Sequence, residues 1–234
     1  MASSLSGRVA LITGASRGIG AAVAKTFARE GAHVILLART QGALEELDDE
    51  IRGLGGKATL IPMDLAKLDE VDKLGPSIYE RFGRLDIFIG NAAVLGILGP
   101  VNHIIPKEWE KAFTINVMAN VRLVRSLDPV LRASDAGRVV FTTSGLGERA
   151  MAYWGPYCAT KAALNLFAQT YAGETMKTNM RVNLVSPGPV DTAMLREAFP
   201  GGFQGETKTP DDVAPAYLKL ALPACKKHGE IVSL

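Results

Sequence analysis

Cysteine is scarce: Cys158 and Cys225 are the only two in 234 residues, far apart and without C-x-x-C spacing, which excludes a disulfide framework and a cysteine zinc site and fits a reducing cytosol. His33, His103 and His228 are isolated, so no metal site is expected from them. An excess of one charge is lacking too. Lysine and arginine total 26 against 24 acidic residues, a net charge of +2; they form no basic stripe, and Lys226-Lys227-His228 reads as a solvated turn, so nucleic acid is not an expected partner. No long apolar run occurs, and the segment from Met1 to Arg8 lacks a basic leader region. Neither a signal peptide nor a membrane span is therefore predicted, and a cytoplasmic location is expected. Low-complexity tracts are absent, and the length suits one substantial core, so residues 1–234 read as a single α/β domain.

What is there begins with a strand, Arg8 to Thr13, a nearly continuous apolar run as expected of a parallel strand covered on both faces. A helical pattern follows, with Ala21, Ala22, Val23, Ala24 and Phe27 supplying small and apolar residues, Lys25, Arg29 and Glu30 a polar face, and Gly31 its stop. Between strand and helix lies Thr13-Gly14-Ala15-Ser16-Arg17-Gly18-Ile19-Gly20. Its three glycines suit a tight turn, close backbone approach to a ligand, and close packing of helix on strand, and the helix amino end then faces an anion. The spacing G-x-x-x-G-x-G departs from the general dinucleotide fingerprint. In the form T-G-x-x-x-G-x-G it resembles the short-chain dehydrogenase/reductase family.

His33 to Ala38 is a second buried strand and Gln41 to Arg52 a helix with Leu44, Leu47 and Ile51 on one face. Arg39 stands at the strand's carboxyl end, where an acid would bind a ribose 2′-hydroxyl and an arginine accommodates a 2′-phosphate. With Arg17 as a second guanidinium, NADP(H) is preferred over NAD(H), which remains possible; the alternative is that both arginines are merely solvated. Lys57 to Pro62 is a third strand, a helix from about Lys67 leads to Phe82, and Leu85 to Gly90 is a fourth strand. A single long helix is predicted from Pro106 through Trp109, Phe113, Val117, Val121 and Val124 towards Leu131, with Asn116 embedded in it.

Arg138 to Thr143 is the fifth strand and Ser144 stands at its end. Thirteen residues later Tyr157-Cys158-Ala159-Thr160-Lys161 opens another helix, its tyrosine and lysine on one face at i and i+4. A free tyrosine titrates near ~10, so an adjacent ammonium that stabilises the phenolate is expected to lower its pKa and make Tyr157 the proton carrier. Lys161 can also hold the nicotinamide ribose, and Ser144 can donate to a substrate oxygen as charge develops there. Such pairs arise on any amphipathic helix, but together with the glycine turn, the Asn116 helix and Ser144 they follow the order of the short-chain dehydrogenase/reductases over essentially the whole chain. Met180 to Ser186 and Gly229 to Leu234 supply two further strands.

The resemblance implies a Rossmann-type doubly wound parallel sheet of about seven strands with helices on both faces. It places Asp64 on the adenine amino group and Leu65 near the ring, although Asp64 can equally cap the next helix. Asn91-Ala92-Ala93 resembles the family's N-A-G turn on the adenosine side, with Ala93 in place of the glycine. Asn116 would hold a water on the proton path or serve as a satisfied core amide. In Pro187-Gly188-Pro189-Val190-Asp191-Thr192, the family's P-G-x-x-x-T segment, Pro187 and Gly188 would flank the nicotinamide, Val190 would bind its carboxamide and Thr192 would reach the phosphates. The implied activity is interconversion of a ketone or aldehyde with its alcohol; an NAD-linked alcohol dehydrogenase and a non-catalytic dinucleotide-binding regulator are the alternatives. The family's usual tail past the seventh strand is missing, so a homodimer through the long helices is expected ahead of a tetramer.

Two loops, 145–155 and 193–208, are rich in apolar and aromatic residues, among them Leu146, Met151, Tyr153, Trp154, Met194, Leu195, Phe199 and Phe203. Either they line the pocket of a partly apolar small molecule, with Gly201-Gly202 letting the second loop close, or they pack on each other or on a partner subunit.

Overall fold

The apolar runs become strands because each carries two interleaved sets of side chains, one for each face of a sheet. Residues 3–234 are described by the computed structural model; Met1 and Ala2, the start of the segment read above for a leader, lie outside them. In strand β1 (Val9–Thr13), Ala10 and Ile12 join one buried cluster and Val9 and Leu11 the other. The same alternation continues through β2 (His33–Ala38), β4 (Ile87–Gly90), β5 (Arg138–Thr142) and β6 (Arg181–Ser186). With β3 (Lys57–Pro62) at one edge and β7 (Ile231–Ser233) at the other, the seven strands form one all-parallel sheet in the order β3-β2-β1-β4-β5-β6-β7. The order reverses between β1 and β4, and a crevice at the carboxyl ends of the strands is the consequence.

Helices α1 (Gly18–Arg29) and α2 (Gln41–Gly53) bury their apolar stripes on one face. The expected helix from Lys67 to Phe82 is instead two, α3 (Leu68–Val71) and α4 (Leu74–Phe82). Pro76 has no N–H to donate to the Asp72 carbonyl, as a continuous helix would require. The Ser126 hydroxyl donates there at 2.9 Å, and the Gly75 N–H donates to the same hydroxyl at 2.9 Å.

The long helix predicted from Pro106 is also interrupted. It consists of α5 (Pro106–Phe113), a π-helical turn (Thr114–Met118) and α6 (Ala119–Arg132). Within that turn the Asn116 carbonyl accepts from Asn120 Nδ2 at 2.9 Å. Helix α7 (Gly155–Thr175) packs on the same face of the sheet as α4 and α6, whereas α8 (Ala193–Ala198) stands at the sheet's carboxyl edge and α9 (Pro210–Ala221) covers the α1 face. Among the described residues no helix is long and apolar enough to cross a membrane.

Candidate active site

The glycine turn is shaped by contacts that leave no room for side chains. Gly14 has φ +64°, and a Cβ there would lie 2.9 Å from Ala92 Cα; one at Gly20 would lie 2.2 Å from the Gly14 carbonyl oxygen. Gly18, at φ +56°, brings the turn against the Thr192 methyl, 3.2 Å from where its own Cβ would be. Helix α1 starts after Arg17 with no side-chain cap. Its first amides, from Gly18, Ile19 and Gly20, therefore present the uncapped positive end of the helix. Ser16 lies half-buried in the same turn.

Thr13 and Asn91 fasten this turn to the strand ends. The Thr13 hydroxyl donates to Ile89 O at 3.2 Å and accepts from the amides of Asn91 and Ala92 at 3.0 and 3.1 Å. Asn91 Nδ2 donates to Thr13 O at 3.1 Å, and Asn91 Oδ1 accepts from the Thr142 hydroxyl at 3.2 Å. One amide side chain thus ties β1 to β5 across β4. Arg17 and Arg39 are both exposed, and among the described residues neither makes a side-chain hydrogen bond or an ion pair. Asp64 Oδ1 accepts from the Ala66 amide at 3.0 Å, a local turn, while Leu65 is buried.

At the end of β5 the sequence-predicted polar residues converge. Lys161 is buried, and its Nζ donates to the Thr142 carbonyl at 2.8 Å and lies 5.6 Å from the Tyr157 ring centre. Burial pulls its pKa down to about 8. Tyr157 is half-buried, and burial pushes its pKa up to about 12 against the opposing influence of the Ser144 hydroxyl. The expected lowering is thus corrected for the protein alone: burial, which disfavours the phenolate, sets the direction, and the Ser144 hydroxyl is what opposes it.

Ser144 Oγ accepts from the Leu146 amide at 3.2 Å, capping the 3₁₀ turn Gly145–Gly147 and leaving its own proton free to donate. Asn116 is fully buried; its Oδ1 accepts from Val94 N at 2.8 Å, and its Nδ2 donates to Val94 O at 2.9 Å and Thr160 Oγ1 at 3.0 Å. The Thr160 hydroxyl in turn donates to the Tyr157 carbonyl at 2.9 Å. The Asn116 side chain therefore brackets the loop after β4 to the helix that carries Tyr157, with its amide engaged on protein partners.

After β6, Pro187 is buried and Gly188 takes φ +74°. Val190 is buried, and a short parallel bridge pairs it with Lys208: Lys208 N donates to Pro189 O at 3.0 Å and Asp191 N to Lys208 O at 2.9 Å. Thr192 Oγ1 caps α8, accepting from Leu195 N at 3.3 Å and donating to Val190 O at 3.2 Å. The two apolar loops meet between these walls. Trp154 packs on Tyr157 with ring centres 5.8 Å apart and on Phe199 at 5.7 Å, and Phe199 packs on Phe203 at 5.0 Å. The loops therefore do pack on each other, and their cluster reaches Tyr157.

Thr142 was not singled out by the sequence reading. Its hydroxyl lies 2.8 Å from the buried Tyr217 hydroxyl, and its carbonyl holds Lys161. Only its place at the end of an apolar strand, two residues before Ser144, hinted at such a part.

With this geometry in view, similarity to known proteins becomes informative. The family described as short chain dehydrogenase matches residues 8–201. An oxidoreductase of Escherichia coli, YciK, is 37% identical over 92% of this chain and 86% of its own length. Benzil reductase ((S)-benzoin forming) of Saccharomyces cerevisiae is 36% identical over 86% of this chain and 79% of its own length. A short chain dehydrogenase from Escherichia coli, solved in complex with NADPH, superposes with a TM-score of 0.94 at 36% identity, covering 100% of this chain and 98% of the other.

Proposed function

The chain belongs to the short-chain dehydrogenase family, and from that premise we propose that it is an NADP(H)-dependent oxidoreductase interconverting a ketone or aldehyde with the corresponding alcohol. The observation that carries the reading is the convergence of Tyr157, Lys161 and Ser144 at the strand end beside a glycine turn with no room for side chains. The same turn supplies the fit for a dinucleotide: Gly14, Ser16, Gly18, Ile19 and Gly20 would hold the pyrophosphate, and the unpaired Arg17 and Arg39 the 2′-phosphate. Asp64, Leu65, Asn91 and Ala92 would line the adenosine side, and Pro187, Gly188, Val190 and Thr192 the nicotinamide side. The relative solved with NADPH supports the phosphorylated cofactor. When bound, the dinucleotide supplies the hydride that adds to the carbonyl carbon.

The chain's own residues then handle the oxygen. Tyr157, with its pKa near 12, is a neutral acid at pH 7, so its proton is present to be given as the C=O π pair moves onto oxygen. Ser144 donates a hydrogen bond to the same oxygen and keeps its proton. The phenolate left behind is stabilised by the Lys161 ammonium, which no carboxylate neutralises among the described residues. Asn116 is a positioning residue, holding the loop after β4 against α7 through Val94 and Thr160. Exposure of Leu166 and Met176 on α7, at 69% and 68%, supports a homodimer through the long helices.

The test is NADPH oxidation, set beside NADH, by the purified protein over a panel of ketones, aldehydes and diketones. Turnover with NADPH that vanishes in Tyr157→Phe establishes the reading; tight NADPH binding without turnover of any carbonyl would overturn it.

A further inference from the structure

Four aromatic rings form a chain that starts at the proton donor and runs into the second loop: Tyr157, Trp154, Phe199 and Phe203, with successive centres 5.8, 5.7 and 5.0 Å apart. All four residues are only half-buried, so part of this aromatic chain stays open to solvent. None of the other three carries a charge.

Trp154 is held there by an unusual turn. Its amide donates to Met151 O at 3.2 Å, closing a four-residue turn whose third residue, Tyr153, has φ +73°. A turn with positive φ at that position calls for glycine or asparagine. Among the described residues Tyr153 is the one non-glycine residue with positive φ. The Gly99 amide, donating to Tyr153 O at 2.9 Å, fastens the strained backbone from the opposite loop. Strain of this kind persists where surrounding structure over-determines it, and it clusters at functional sites. Here it fixes the residue whose ring packs on Tyr157.

We propose that this wall selects neutral carbonyl compounds bearing an aryl ring directly on the carbonyl carbon, with Trp154 and Phe199 as the specificity-determining residues. The proposal rests on the reductase reading above, with NADPH as the reductant. When the carbonyl oxygen meets the Tyr157 hydroxyl, a ring on the adjacent carbon lies within reach of Trp154, whose centre is one ring-packing distance from Tyr157. An aryl ring gains edge-to-face or offset-stacked partners there that a saturated ring of equal size does not. A charged carrier finds no counter-charge on Trp154, Phe199 or Phe203.

The test compares acetophenone with cyclohexyl methyl ketone, which have the same carbon skeleton. Conjugation makes the aryl ketone the weaker electrophile, so a preference for it has to come from the site. We expect kcat/KM to favour acetophenone by about tenfold, and Trp154→Leu and Phe199→Leu to erase the ratio mainly through KM. Trp154→Phe, which keeps a ring, retains most of it and controls for misfolding. Reduction of both ketones with equal efficiency overturns the aryl proposal and leaves the reductase reading standing. If neither ketone is reduced, calorimetric binding decides the wall: tighter binding of acetophenone that is lost in Trp154→Leu upholds it and equal binding overturns it, while the wider carbonyl panel above decides the reductase reading.

Discussion

Lys161 is held by the main-chain carbonyl of Thr142 at 2.8 Å while its ammonium lies 5.6 Å from the centre of the Tyr157 ring. A carbonyl fixes the ammonium without cancelling its charge. The charge of the lysine is therefore left uncancelled beside the phenol, whose pKa burial raises.

On the proposed function, Tyr157→Phe removes the proton donor and little else. Turnover is expected to fall by about 10²–10⁴-fold, with the dissociation constant for NADPH nearly unchanged in a fluorescence titration. Retained turnover would show that the proton comes from elsewhere.

The buried lysine makes stability depend on pH in the cofactor-free protein. Unfolded, Lys161 keeps its proton up to its ordinary value of 10.5, whereas folded it releases it near 8. Between those values the unfolded chain binds more protons, so stability rises with pH. Tyr157 acts oppositely, since its folded pKa of about 12 exceeds the ordinary 10.0 and lowers stability as pH climbs through that window. Urea unfolding at pH 7.5, 9 and 10 should show the rise in the wild type and a flatter dependence in Lys161→Met; identical slopes would contradict the assignment.

Arg39→Ala, alone or with Arg17→Ala, should weaken NADPH binding by about 10- to 100-fold, as expected for losing hydrogen bonds to a charged group, and leave NADH nearly unaffected. Equal loss for both cofactors would remove the 2′-phosphate from these side chains.

Gly20→Ala would drive a methyl to 2.2 Å from the Gly14 carbonyl oxygen. Forced repacking should lower stability by about 1–3 kcal/mol and, by displacing the turn, abolish dinucleotide binding. A melting temperature and NADPH affinity like the wild type's would show that the turn has slack it does not display.

Thr142→Val keeps the carbonyl that holds Lys161 but strips the hydroxyl shared by Asn91 and Tyr217. With the buried Tyr217 hydroxyl and the half-buried Asn91 carbonyl left unpaired, the expected loss is about 1–3 kcal/mol in chemical denaturation. A smaller fractional change in kcat than in stability would mark Thr142 as a scaffold residue.

What the chain disclosed beforehand follows from where identity matters. Ala10 and Ile12 had to be apolar whichever face they took, so β1 was visible, and Tyr157 and Lys161 are chemically distinctive at a helical spacing. The π turn was hidden because Thr114 to Met118 shows the same apolar periodicity as an α-helix; the extra residue alters the backbone, not the pattern. The break before Leu74 was written in Pro76, whose missing N–H frees the Asp72 carbonyl, but the Ser126 hydroxyl that replaces it lies far along the chain. The carbonyl of Thr142 could not be read at all, since every residue owns one. Nor does tyrosine chemistry signal the positive φ of Tyr153.

The bridge between Val190 and Lys208 closes the second loop at its base, with its two strands held by Lys208 N and Asp191 N. Lengthening a flexible loop whose ends are already joined adds only about 0.6 kcal/mol of closure entropy per doubling. The segment from Ala193 to Glu206 can therefore gain, lose or exchange residues while β6, the turn at Pro187 and Thr192 keep their places. On the proposed function, variation in what the protein accepts is insulated from the parts that perform the transfer, and the scaffold can be retuned by heredity or by engineering without being rebuilt.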